Sequence, residues 1–383
     1  MEQASHHLGG SPIFKTPVLV VALVTSSVLA APPDADKQAG EGRILIWKEG
    51  KHVLLSPDGK ALEELPVNAK KFRVLKPDGK TVEIPFPEKS RLTDPSISPD
   101  AKRVAFIVFE APPGIDIPLG RDREFNFLHN VFVCKPDGEG EGHALGINGQ
   151  NLAWTPEGKL IVVEAASEPA LYERKFTTWL VDVGTKEKTK LDVPETAQIF
   201  CVTPDGKSYI ATTYDFDKKQ FHLVSISRDG NKVSELTPLA FAIRSPTNFI
   251  KPRLSPDGSR ILFLDIDKEE KLEEGMRRFP RLYLYDLKTK KREKLADIAL
   301  DAFIWDYAWS PDSKRVAFVW KRMEPGVPLA SGLDKDGKPK KQKVVETETH
   351  LNVADPNGKN TKTILSAKGR TGPAITLNGL EWR

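Results

Sequence analysis

Five copies of a Ser/Thr-Pro-acid turn in one register, each followed by a β-rich run, predict an all-β fold: a six-bladed β-propeller of four-stranded antiparallel blades, closed by strands from both termini. The copies are ISPDAKRVAFI (97–107), WTPEGKLIVV (154–163), VTPDGKSYIAT (202–212), LSPDGSRILFL (254–264) and WSPDSKRVAFV (309–319). Proline fixes φ at the first corner. The acid accepts backbone N–H groups, and glycine, where present, relieves the left-handed position. The hydroxyl residues Ser98, Thr155, Thr203, Ser255 and Ser310 are spaced by 57, 48, 52 and 55 residues, a period that suits one blade.

Between these anchors a third strand is read at 130–134, 178–182, 222–227, 282–286 and 350–355, each entering a polar turn such as CKPDG, SRDG or DPNG. A fourth follows in GHALG, KTKLDV, VSELT, KREKLA and TKTIL. Four short strands per unit describe a blade, since a helical repeat would show a 3.6-residue period. Five units are complete. The sixth is expected to take 374–382 as its inner strand, where Trp382 occupies the place of Trp154 and Trp309, and 43–88 as its outer strands. The extra hairpin at Lys76–Lys80 makes seven blades the alternative. Closure removes exposed sheet edges. The apolar anchors Ile97, Trp154, Val202, Leu254 and Trp309 are read as packing between blades, with ligand stacking by the two tryptophans as the alternative.

The 383 residues include 57 basic and 53 acidic ones, a formal charge of +4, and the signs alternate along the chain. That pattern carries no nucleic-acid footprint. The lysine-rich run Lys335–Lys343 lies among glycine and proline and reads as a solvated loop. Residues 17–31, PVLVVALVTSSVLAA, are an apolar stretch preceded by Lys15 and ended by small residues. The stretch is short for a permanent span. Residues 1–31 are therefore expected to be a signal peptide cleaved near Ala30 or Ala31, followed by a disordered lead-in at 32–42 and one propeller domain at 43–383. A periplasmic or secreted protein without stable membrane insertion after cleavage follows. No cysteine follows the apolar run to take a lipid. Cys134 and Cys201 fall on different strands of non-adjacent blades and are expected to be free thiols.

WSPDSKRVAFV (309–319), SPDAKRVAF (98–106) and SPDGSRILF (255–263) resemble the WD40-like, TolB-type propeller repeat, whose signature is WSPDG followed by K-I-A-F. The resemblance implies a propeller over nearly all of the mature chain. It implies no single function, because such repeats serve periplasmic translocation proteins, the propeller domains of serine peptidases and other exported proteins. The α/β domain that precedes the propeller in TolB has no counterpart, since the residues ahead of the first complete anchor read as β-hairpins.

No G-x-S-x-G elbow marks a hydrolase domain, and no HExxH or close Cys/His set marks a metal site. No catalytic residue, cofactor or metal ligand is therefore assigned. His129, His222 and His350 recur about the start of the third strand and are read as a structural repeat position. Asp215 with Asp217, and Asp265 with Asp267, follow second strands; solvated loop acids are the first reading and paired hydrolytic carboxylates the alternative. Asp265-x-Asp267 and Asp334-x-Asp336-Gly337 lack a full calcium-loop pattern.

The insertions 110–128, 165–176, 214–221, 268–281 and 321–349 join second to third strands, so they open on one face of the disc, opposite the Pro-acid turns. Variable loops on a rigid scaffold build binding surfaces. A protein, peptide or glycan is therefore expected at the face formed by loops 110–128, 268–281 and 321–349. The first holds Phe109, Ile115, Ile117, Leu119, Phe125 and Phe127, apolar enough to cap the channel or meet a partner. The expected function is a non-catalytic exported binding scaffold in the cell envelope. The alternatives are a hydrolase or lyase using channel-mouth carboxylates or histidines, and a structural envelope component.

Overall fold

Twenty-five antiparallel strands make up the regular structure in the described residues of the computed structural model, namely 42–48, 51–66, 71–76, 78–85, 91–110, 128–135, 143–165, 175–240, 251–268, 271, 279–296, 298–300, 302–323, 346–370 and 375–383. Strands β1 (Ile44–Lys48), β2 (Lys51–Leu55) and β3 (Ala61–Pro66) share a sheet, and β4 (Lys71–Leu75) pairs with β5 (Thr81–Pro85) in a separate hairpin. Next come β6 (Arg91–Ile97), β7 (Val104–Glu110), β8 (Leu128–Cys134), β9 (His143–Trp154), β10 (Leu160–Ala165), β11 (Phe176–Val181) and β12 (Lys188–Lys190), consecutive in one seven-stranded sheet. Three four-stranded meanders follow. The first holds β13 (Gln198–Val202), β14 (Ser208–Asp215), β15 (Gln220–Ser227) and β16 (Val233–Leu239). The second holds β17 (Arg253–Leu254), β18 (Arg260–Ile266), β19 (Pro280–Asp286) and β20 (Arg292–Lys294), and the third β21 (Ala302–Trp309), β22 (Val316–Met323), β23 (Glu346–Ala354) and β24 (Lys362–Arg370). Finally β25 (Ile375–Trp382) returns to pair with β1.

The inner strands succeed one another as β6, β9, β13, β17, β21 and β25, and β25 lies beside β6. The arrangement is propeller-like. Its core lies between neighbouring sheets: Leu262, Leu264 and Leu282 of one meander meet Ile304, Val316 and Phe318 of the next, all buried. The last of these meanders packs in turn on the closing sheet, through Val319 and Leu351 against Ile44, Ile46 and Leu380.

Two expectations need correction. Uniform four-stranded blades are not observed, because β9 serves two of them: its first half pairs with β8 from His143 to Asn148, and its second with β10 from Gly149 to Trp154. Gly149 stands at the changeover, where an added Cβ would lie 2.5 Å from Val131 Cγ2. The N-terminal segment 43–88 also does not supply a single set of outer strands. β1 to β3 complete the closing sheet by Pro66, and the β4–β5 hairpin wedges between that sheet and its neighbour. Leu75 packs on Leu45 and Leu54 on one side, while Val74 and Ile84 pack on Ile97, Val104 and Phe106 on the other. Among the described residues the strands form six sheets of two to seven strands, the hairpin being the two-stranded one.

The repeated turn works as its chemistry requires. Ser98 Oγ donates to Asp100 Oδ1 at 2.6 Å and accepts the Arg103 N–H at 2.9 Å, and Asp100 also accepts the Lys102 N–H at 3.1 Å. The same three bonds recur at Thr203, Ser255 and Ser310. The anchor tryptophans latch blades together. Trp154 Nε1 donates to Ser96 O and Trp309 Nε1 to Arg253 O, both at 2.9 Å, and each acceptor lies two residues before the hydroxyl of the preceding blade's turn. Arg260 lies over the Trp309 ring at 5.2 Å and Arg315 over Trp382 at 5.3 Å. Packing between blades is the role the structure gives these rings. Cys134 and Cys201 are free thiols on β8 and β13, with the strands of an intervening blade between them, as expected.

Candidate functional site

Most of the insertion face falls outside the described residues: 111–127, 166–174, 269–270, 272–278 and 324–345. The lysine-rich run and Asp334 and Asp336 lie there too. The strand ends that carry these loops are described. So is the whole of 214–221, a tight turn in which Asp215 Oδ1 accepts the N–H groups of Asp217 and Lys218, both at 3.0 Å. That carboxylate closes a turn. Its backbone bond from Lys218 holds its pKa below the ordinary aspartate value.

Asp265 and Asp267 are not solvated loop acids. Asp265 is 1% exposed near the end of β18, with Arg292 Nη2 2.8 Å from its Oδ2, and Asp267 pairs with Lys294 at 3.3 Å. Arg292 spans the sheet over the Tyr283 ring, 4.0 Å from its centroid. Both acids are engaged by cations of β20, which does not suit a hydrolytic pair. Arg281, absent from the sequence-based candidates, is also 1% exposed and donates to Ala302 O at 2.7 Å, binding two blades at the insertion end.

Two of the three recurrent histidines share a blade position. His222 stands opposite Thr213 and His350 opposite Trp320, each partner ten residues beyond its turn hydroxyl, whereas His129 stands opposite Phe109, one step further on. The meander β17–β20 separates the blades of His222 and His350. His222 Nδ1 lies 3.1 Å from Glu235 Oε1. His350 stacks on Trp320 with centroids 4.2 Å apart, meets Ser366 Oγ at 2.8 Å through Nδ1, and holds Nε2 3.8 Å from Glu348 Oε2. Burial lowers its pKa.

Lys321, Phe303 and Trp305 of the same blade, with Phe279 just ahead of β19 in the preceding one, form a different group. Phe279 and Phe303 lie 5.7 Å apart and Phe303 and Trp305 5.8 Å apart, all three partly exposed, and Lys321 Nζ lies 5.5 Å from the Trp305 centroid. Lys321 pairs in register with Phe303 on one side and Thr349 on the other. It is 8% exposed and burial lowers its pKa; Thr349 is 1% exposed. Thr349 Oγ1 and Trp305 Nε1 are buried without a hydrogen-bond partner among the described residues. In the sequence, Lys321 and Thr349 bound the last insertion. The usable signal was a lysine continuing the apolar run VAFVWK.

Among the described residues, no group of three or more His, Cys, Asp or Glu side chains is placed to hold a metal. Nor is any helix long and apolar enough to cross a membrane.

No family model and no curated protein matches the chain. Solved structures similar to it include a TolB-like protein of Agrobacterium tumefaciens, at 14% identity and a TM-score of 0.46 over 86% of this chain and 90% of that one. An oligogalacturonate lyase in complex with manganese is similar at 13% identity and a TM-score of 0.49, over 70% and 79%. A puromycin-hydrolysing peptidase of Mycobacterium tuberculosis is similar at 14% identity and a TM-score of 0.47, over 85% and 45%. Likenesses at this level concern the fold and carry no argument about ligand or chemistry.

Proposed function

We propose that the chain is an exported binding propeller whose ligand, an oligosaccharide, is held at the insertion end of the β21–β24 blade. The observation that carries this reading is the row of partly exposed rings Phe279, Phe303 and Trp305 beside Lys321. Flat apolar faces next to a few polar groups suit a ligand that alternates C–H faces with hydroxyls. The apolar segment 17–31 supports export to the periplasm or the outside.

A glycan array probed with the purified mature chain tests it. Retention of one glycan series is expected, weakened roughly tenfold by Phe303→Ala. Retention of no glycan overturns the reading.

Hydrolase or lyase chemistry at the same end is the second reading, favoured by the His350 and Glu348 pair at 3.8 Å. A histidine beside an acid can move a proton. Chain-end analysis of a retained glycan separates the two readings. New ends that vanish in His350→Ala while retention persists favour catalysis, and no new ends leave the binding role.

A further inference from the structure

Lys321, Thr349 and Trp305 present an imbalance of donors. An ammonium offers three N–H groups and an indole one, and neither accepts; a hydroxyl has one to give. Lys321 is 8% exposed, and the contact it makes among the described residues is the Trp305 ring at 5.5 Å. The Trp305 indole nitrogen and the Thr349 hydroxyl are buried and have no hydrogen-bond partner among the described residues. Lys321 and Thr349 face each other in register, which places their Cβ atoms about 5 Å apart. A buried cation without an acceptor is costly, and each unpaired buried donor adds to that cost. The acids nearby in the strand pairing are engaged elsewhere: Glu348, next to Thr349 on β23, pairs with Lys368 at 2.7 Å. Asp306 is committed to Arg253 at 3.0 Å and to the N–H groups of Tyr307 and Leu380, both at 2.7 Å.

We infer that Lys321, with Thr349 Oγ1 and the Trp305 indole N–H, forms a site for an oxyanion, the carboxylate or sulfate of an acidic sugar entering from the insertion end. A carboxylate or sulfate supplies several acceptor oxygens and one negative charge, the complement of what this group lacks. The sugar ring would then lie toward Trp305 and Phe303, so the site deepens the oligosaccharide reading and rests on it for the identity of the ligand. The burial that lowers the Lys321 pKa agrees with a cation awaiting a counter-charge.

The experiment measures thermal stabilisation of the full chain by sodium sulfate and by sodium acetate, against sodium chloride of equal ionic strength. In parallel, it compares affinity for an oligosaccharide of uronic acids, a sulfated oligosaccharide and their neutral counterpart. Lys321→Met removes the charge at similar length, and Lys321→Arg restores it should the methionine variant fold poorly. Wild type is expected to be stabilised by the oxyanions beyond chloride, and to prefer an acidic oligosaccharide over the neutral one by about tenfold or more. Lys321→Met should lose both effects, and Lys321→Arg should keep part of each. The acidic glycan that binds better distinguishes carboxylate from sulfate.

Binding of neutral and acidic sugars with equal affinity overturns the anion site and leaves the oligosaccharide reading standing. Oxyanion stabilisation lost in Lys321→Met, with no oligosaccharide bound, upholds the site and overturns that reading. Preferential binding of a glutamate-rich peptide at the same residues overturns the sugar assignment. No difference between wild type and Lys321→Met with any anion overturns the proposal.

Discussion

Asp306 accepts the backbone N–H of Leu380 at 2.7 Å through Oδ2, while its Oδ1 meets Arg253 Nη2 at 3.0 Å. Arg253 is on β17, Asp306 on β21 and Leu380 on β25, so one carboxylate, fully buried, ties three successive inner strands at the point where the ring closes. Removing it takes the acceptor from the backbone N–H groups of Tyr307 and Leu380 and the counter-charge from Arg253, whose Nη1 still donates to Leu380 O. Asp306→Ala is expected to lower unfolding stability by about 3–5 kcal/mol, with Asp306→Asn milder because an amide oxygen still accepts one bond. Urea denaturation checks it. Arg253→Ala should cost little in the Asp306→Ala background; fully additive losses would mean the pair is not coupled.

The tryptophan latches give a repeat-by-repeat prediction. Trp154→Phe and Trp309→Phe each keep a ring in place and remove the N–H donated to Ser96 O or Arg253 O. A loss of about 1–2 kcal/mol is expected for each. The two latches stand in non-adjacent blades, so the double variant should lose the sum. A fall in denaturation midpoint for only one of them would show that the latch is not a property of the repeat.

The turn register was legible because it is local. Ser98, Thr203, Ser255 and Ser310 find their partners within five residues, so a short motif contains the whole device. The cysteine placement followed from the same ruler. What escaped depends on contacts between distant segments. Whether β9 breaks after Asn148 or runs on depends on Gly149 meeting Val131, and the wedge hairpin depends on Leu75 meeting Leu45 and Leu54. Asp265 looked like a loop acid because its cation, Arg292, sits across an intervening strand. Lys321 looked like the start of a loop because lysine ordinarily marks solvent, whereas β22 continues to Met323 and carries it inward.

The wedge makes stability depend on pH through His52. Burial first, and then the charge of Arg73, push the His52 pKa down to about 4, with Glu83 pulling the other way. Arg73 is itself paired with Glu83. An unfolded histidine takes its proton near ~6.5, so the unfolded state protonates before the folded one. The contribution is full above that pH and declines as pH falls toward about 4. The turn acids act lower: the Ser98 hydroxyl, followed by the Lys102 N–H, holds Asp100 below the ordinary carboxylate range, so its share is lost only in stronger acid. His52→Leu should therefore flatten the decline from near-neutral pH to about 4 and leave the more acidic loss in place. Urea midpoints for both chains across that interval test it, and parallel declines would remove His52 from the account.

Close approach of blades at the outer hairpins separates two glycines with the same backbone. Gly230 in the β15–β16 turn has φ +77°, and Gly158 in the β9–β10 turn has φ +81°. Alanine at either bears left-handed strain of about 1–2 kcal/mol. A Cβ at Gly158 meets nothing within 4 Å, whereas one at Gly230 would fall 1.5 Å from Asp192 O in the preceding blade. Backbone must move there, and Gly230 N–H is already held by Ser227 O at 2.8 Å. Gly230→Ala should lower the melting temperature well beyond Gly158→Ala, and the difference measures how tightly the β9–β12 and β13–β16 blades are pressed together. Equal shifts in the two variants would mean that the hairpin yields without parting the blades.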